Sequence, residues 1–171
     1  MAIQRLNHAV LYVSDVARSV AFYTGVLGFR TKVDLGKAAF LQAADSTNDH
    51  DLGLFEIGPG AGPSPSGRTT VGLYHLAWEV DTLAELQRIA AALSEAGALV
   101  GATDHTTTKA LYAKDPDGLE LEVCWLLPAD LLHTVDPDAG MKNRPLDLTR
   151  EIATYGPDRR GGVGISVPLP T

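Results

Sequence analysis

The chain has 171 residues, 45% hydrophobic and 20% charged, with a net charge of −7, which gives one domain with a real core and no basic face for nucleic acid or an anionic membrane. One cysteine, Cys124, excludes an internal disulfide framework. No apolar run approaches a membrane span and "MAIQRLNHAV" has no signal-peptide core, so a reducing cytoplasm is expected.

The first element lies in "LNHAVLYVSDVARSVAFYTGVLGF", Leu6 to Phe29. As a strand it puts Ala9, Leu11 and Val13 on one face and His8, Val10 and Tyr12 on the other, because side chains alternate. Ser14 or Asp15 caps the helix that follows. Val16, Val20, Phe22 and Tyr23 form its apolar stripe, and Gly25 lies beyond its end. Strands are expected at Arg30–Asp34, Ala38–Gln42 and Leu52–Ile57. "DHDLGL" sets His50 just before the last of them. By alternation His50 and Glu56 share a face, about 20 Å apart. Gly58 to Gly67, "GPGAGPSPSG", is a flexible linker.

The pattern then starts again. "LYHLAWEVDTLAELQRIAAALSEAG", Leu73 to Gly97, repeats Leu-x-His, strand, aspartate and helix, with His75 67 positions after His8. This is a two-fold repeat rather than a solenoid. Thr82 and Glu85 form a capping box, Leu83, Leu86, Ile89, Ala90 and Leu93 recur at helical spacing, and Gly97 supplies the stop. Strands are expected at Leu99–Ala102, Ala110–Ala113 and Leu119–Leu126. Asp115-Pro116-Asp117-Gly118 is a tight turn with Pro at a fixed φ and Gly free to take a positive one. Each half is therefore β-α-β-β-β, in an α+β fold. From Pro128 to Thr171 no clear period exists. "NRPLDLTREIATYG" holds one short helix, and the tail is expected to wrap the domain or a partner subunit. His133 is a surface residue.

Helices on one side of the sheets would bury Leu11, Val13, Trp78, Leu121 and Val123. His8 and His75 then project from the opposite face, as does Glu122, which shares its side of the last strand with Glu120. Two imidazoles and a carboxylate suit a divalent transition metal: iron with positions open for substrate and O₂, or zinc or nickel with a fourth ligand or water.

"HAVLYVSDVARSVAFYTGVLGF", "YHLAWEV" and "LYAKDPDGLELEV" resemble the vicinal oxygen chelate superfamily of glyoxalases, fosfomycin and bleomycin resistance proteins and type I extradiol dioxygenases. The resemblance covers residues 4 to 126. It implies two βαβββ modules forming a cupped, partly open mixed β-sheet barrel around one metal. It sets the metal ligands on His8, His75 and Glu122, choosing Glu122 over Glu120 by its distance from Gly118. The implied organisation is one domain over 1–127, with module one at 4–58, a linker at 59–70 and module two at 71–127, and an extension over 128–171.

Three residues point to a branch. His50 before its strand, and His105 seven residues before Tyr112, itself ten before Glu122, are similar to the pattern of the catechol-cleaving extradiol enzymes. "PLDL" in the tail is similar to the end of those chains. The resemblance then implies Fe(II), with Mn(II), Ni(II) or Zn(II) as alternatives. Its substrates would be a catechol-type diol and O₂, in aromatic-compound degradation. His50 would be an acid/base beside the dioxygen position, with His105 and Tyr112 on the catecholate oxygens. A homodimer or larger assembly is implied. The large extradiol enzymes carry an extra N-terminal domain, so the small single-domain type is expected. The alternatives are a glyoxalase-like isomerase or lyase using Glu56 as ligand and base, and a non-catalytic drug-binding resistance module.

Overall fold

A computed structural model describes residues 2–3, 5–67, 69–135 and 143–162. The rest of the expected tail, 136–142 and 163–171, lies outside the described residues. The chain divides into two compact units, Met1–Ser66 with Asp115–Leu119, and Gly67–Lys114 with Glu120–Thr171.

The first unit runs β1 (Ala9–Val13), α1 (Val16–Gly25), β2 (Arg30–Asp34), β3 (Ala38–Gln42) and β4 (Leu52–Glu56). Its sheet has the order β1-β4-β3-β2, with β1 and β4 parallel and the other pairs antiparallel. Alternation holds along β1: Leu11 and Val13 are buried, whereas Val10 and Tyr12 are exposed. Leu11, Val13, Ala39, Leu41, Leu52 and Leu54 form a core that α1 covers with Val16, Ser19 and Tyr23. Of the two candidate caps for α1, Asp15 acts, accepting from Arg18 N. Ser14 is occupied elsewhere, giving its N–H and hydroxyl to the Asp117 carboxylate at 2.9 and 2.6 Å. The turn itself is locked: Asp115 Oδ1 accepts from Asp117 N and Leu119 N, and Gly118 takes φ +80°.

The second unit repeats this with β5 (Leu76–Glu79), α2 (Leu83–Glu95), β6 (Leu99–Asp104), β7 (Thr108–Lys114) and β8 (Glu120–Leu126). The order β5-β8-β7-β6 matches the first unit strand for strand, again with its first and last strands parallel. Leu83, Leu86, Ile89 and Leu93 of α2 are at most 2% exposed. At roughly 1.5–3 kcal/mol for each side chain removed from water, this stripe is the main attachment of the helix. Thr82 caps it through Glu85 N, while the Glu85 carboxylate pairs with Arg88 instead of completing the box.

The tail extends this unit. After a 3-10 helix at Ala129–Thr134, β9 (Arg144–Pro145) joins the sheet edge beside β6, and α3 (Leu148–Tyr155) packs on α2. Asp147 caps α3 and Gly156 ends it with φ +90°. Lys109 on β7 is buried under α3, with Asp104 Oδ1 at 2.6 Å and Glu151 Oε2 at 3.0 Å. The chain then presses on β8: Trp125 Nε1 donates to Arg159 O, and a Cβ at Gly162 would lie 2.6 Å from Pro128 Cα. No helix among the described residues is long and apolar enough to cross a membrane.

Candidate active site

In the first unit His8 lies just before β1, on the face away from α1. Its Nδ1 donates to Asn7 Oδ1 at 2.8 Å, which leaves Nε2 as a bare lone pair suited to a metal. Its ring lies 4.6 Å from that of His50, whose ring also packs 4.9 Å from Phe40. His50 Nδ1 donates to the Asp49 carboxylate at 3.1 Å, so its Nε2 is likewise free to take a proton. That hydrogen bond also lowers the pKa of Asp49.

Glu56 is elsewhere. It pairs with Val13 in the β1–β4 register, some four strand residues and roughly 13 Å beyond Ala9. Its carboxylate accepts from Val16 N at 3.3 Å, at the start of α1, and Lys37 Nζ is 4.0 Å away. So His50 and Glu56 do not share a face, contrary to the expectation from alternation. The period breaks at Asp51. That buried carboxylate collects Ala43 N, Ser46 Oγ and Asn48 Nδ2 at 2.7–2.8 Å. The chain before β4 is thereby a turn rather than a strand, and His50 is delivered to the side of His8 and Phe40.

In the second unit Glu122 of β8 and His75, just before β5, approach to 3.1 Å between Oε2 and Nε2. Glu120 is exposed, 3.9 Å from Lys114. A lone pair on each of two donors at about 2.1 Å from one ion, at right angles, would be ~3.0 Å apart, so this pair has the spacing of neighbouring ligands. His75 Nδ1 is buried without a hydrogen-bond partner among the described residues. Both observations fit a cation held by this pair. Three His, Cys, Asp or Glu side chains in metal-binding arrangement are not found among the described residues. His8 belongs to one unit, His75 and Glu122 to the other.

Tyr112 of β7 stands opposite Glu122 in the ladder, with its ring 6.0 Å from that of His75. Its hydroxyl is 2.8 Å from His105 Nε2, and His105 Nδ1 is 2.8 Å from Asn143 Oδ1. Asn143 was invisible as a site residue in the sequence, since it lies 38 positions from His105 in a tail without period. Burial, then the Glu122 charge, raises the pKa of Tyr112, which is therefore a neutral phenol near pH 7. Burial first, with Glu122 and Glu79, pushes the Cys124 thiol up to about 12, so it is no nucleophile. His133 is exposed in the 3-10 helix, as expected for a surface residue.

The sequence profile of the Glyoxalase/Bleomycin resistance protein/Dioxygenase superfamily matches residues 5–123. The chain belongs to this superfamily. It is 34% identical over 118 residues to a catechol-2,3-dioxygenase of Bacillus subtilis (strain 168), covering 69% of this chain and 40% of that protein. The chain thus spans less than half the length of this relative. Among solved structures, a glyoxylase/bleomycin resistance protein/dioxygenase domain from Frankia sp. EAN1pec aligns with a TM-score of 0.61 at 23% identity, over 78% of this chain and 99% of that one. A glyoxalase/dioxygenase from Nostoc punctiforme aligns with a TM-score of 0.59 at 25% identity, over 71% and 90%. A lactoylglutathione lyase from Agrobacterium tumefaciens shares the fold at 21% identity and a TM-score of 0.53, over 72% and 95%.

Proposed function

We propose that this chain is an extradiol ring-cleaving dioxygenase that uses O₂ to open a catechol beside its diol, with Fe(II) held by His8, His75 and Glu122. The observation that carries this reading is which residue stands beside His8. It is His50, ring to ring at 4.6 Å, while Glu56 serves the start of α1. A glyoxalase-type reaction needs Glu56 as ligand and base, and has no use for His105 and Tyr112. The 34% identity to a catechol-2,3-dioxygenase supports the same branch.

Bound to these ligands, Fe(II) would chelate a deprotonated diol and supply the electronic path between the ring and O₂. The chain's own residues handle protons and position. His50, with Nδ1–H anchored on Asp49, offers Nε2 to accept a proton and give it back. Tyr112, with His105 Nε2 at 2.8 Å behind its hydroxyl, hydrogen-bonds a diol oxygen, and the pair fixes the ring's orientation. Asn7 holds His8 by Nδ1 and leaves Nε2 bare, the nitrogen that would take the metal. The assembly is proposed to be a homodimer or larger.

The test is metal analysis of protein purified without air, followed by O₂ uptake and absorbance on a panel of catechols. One Fe(II) per chain and yellow ring-opened products are expected. Turnover of the glutathione–methylglyoxal hemithioacetal, with no O₂ uptake on any catechol, would establish the glyoxalase alternative.

A further inference from the structure

We propose that Asn143, supplied by the tail, is a positioning residue that holds His105 in the Nδ1–H tautomer and so turns the Tyr112 hydroxyl into an acceptor for a protonated diol oxygen. The inference rests on the dioxygenase reading for its substrate, but its hydrogen-bond logic stands on this chain alone.

An amide oxygen can only accept. Asn143 Oδ1 at 2.8 Å therefore requires a proton on His105 Nδ1. A neutral imidazole then has a bare Nε2, and the only proton available for the 2.8 Å contact to Tyr112 is the phenol's own. With its hydrogen committed to His105, the Tyr112 oxygen presents lone pairs to whatever approaches. It thus meets a substrate hydroxyl as an acceptor, which favours a diol that has lost one proton and keeps the other on this oxygen over a ligand stripped of both.

The surrounding fold is arranged to hold this geometry. β9 pairs with β6 so that Arg144 stands opposite Asp104, which sets Asn143 against His105. Asp104 Oδ1 accepts from Thr106 N at 2.8 Å and from Lys109 Nζ at 2.6 Å, anchoring the turn that carries His105. Thr106 in that turn has φ +75°, a conformation that costs a β-branched residue energy. Glu151 of α3 completes the Lys109 network. The tail therefore fixes both ends of the His105 position.

The test uses the full chain labelled with ¹⁵N-histidine, loaded with diamagnetic Zn(II), and compares wild type, Asn143→Ala and Asn143→Asp. The ring-nitrogen shifts report which nitrogen of neutral His105 carries the proton. The expected result is Nδ1–H in wild type, a shift toward Nε2–H in Asn143→Ala, and recovery of Nδ1–H in Asn143→Asp, whose carboxylate still accepts. With Fe(II) and a catechol, Asn143→Ala should lose about tenfold in kcat with a smaller change in KM, the scale of a lost outer partner, and Asn143→Asp should recover most of it. Nε2–H in wild type, or an unchanged tautomer in Asn143→Ala, would overturn the assignment. If the tautomer shifts as expected but no catechol supports O₂ uptake in wild type, the dioxygenase reading falls and the acceptor role toward a diol falls with it, while the Asn143–His105 coupling holds.

Discussion

The two units share a strand order but differ in how their site residues are braced. In the first, His8 and His50 are each anchored by an adjacent residue, Asn7 and Asp49. In the second, partners arrive from far along the chain: Glu122 faces His75, Asn143 holds His105, and Glu151 covers Lys109. Of the two repeated modules, the second carries β9 and α3 in addition. In the proposed reaction, proton transfer falls to the first set, braced by neighbours in the chain, and substrate positioning to the second, braced from afar.

The largest effect should come from Glu122→Ala. Removing the carboxylate beside His75 should abolish stoichiometric iron and all turnover while leaving the circular dichroism spectrum intact. Atomic absorption checks this, and full iron occupancy in the variant would break the ligand assignment. His8→Ala should lose iron and turnover in the same way, checked by the same metal analysis.

Next is Lys109→Met, which strips the second unit of its brace. It leaves Asp104 and Glu151 buried with the half-exposed Arg150, 3.7 and 2.9 Å away, as their remaining cation, so the cost should lie below the about 3–5 kcal/mol of breaking a buried pair outright. Urea unfolding should register that loss, and the triple change with Asp104→Asn and Glu151→Gln should restore much of it. The network also predicts a pH dependence. Burial alone would raise the pKa of Asp104. The hydrogen bonds from Lys109 and Thr106 N, with the charges of Lys109 and Arg150, outweigh it and hold the group below the ordinary aspartate value. A depressed folded-state pKa means the stabilisation is complete above the unfolded value, about pH 4, and is lost as the pH falls below it. Wild type should lose stability under acid there, whereas in Lys109→Met, where burial acts on Asp104 without the lysine to offset it, that acid loss should shrink.

Much of this division was legible in the sequence. The repeat, the helix stripes and the buried Leu11, Val13, Leu121 and Val123 follow from local periodicity and turn chemistry, whereas the choice of Glu122 over Glu120, which share a strand face, came from the family resemblance alone. Trp78 was placed on the covered face but is only half-buried. What escaped depends on long-range or side-chain-driven structure. His50 changed sides because Asp51 binds its own loop, which strand alternation cannot register. Lys109 gave no sign of being buried, since Glu151, one of its two anions, is 42 residues away (151 minus 109) in a tail without period.

Smaller effects sharpen the comparison. Tyr112→Phe should keep iron and lose about tenfold to a hundredfold in kcat, the cost of one hydrogen bond at a reacting oxygen. Thr106→Asn should raise the melting temperature slightly, worth less than about 1 kcal/mol, because Asn tolerates the left-handed conformation that Thr106 occupies.

The central claim is that His50, not Glu56, works beside His8. Metal content and O₂ uptake on catechol, measured side by side for His50→Ala and Glu56→Gln, test it directly. His50→Ala should retain iron and lose about two to four orders of magnitude in turnover, the range for a general acid/base group. Glu56→Gln should be nearly silent, since the amide oxygen can still accept from Val16 N. Loss of metal in Glu56→Gln, with full activity in His50→Ala, would contradict the account.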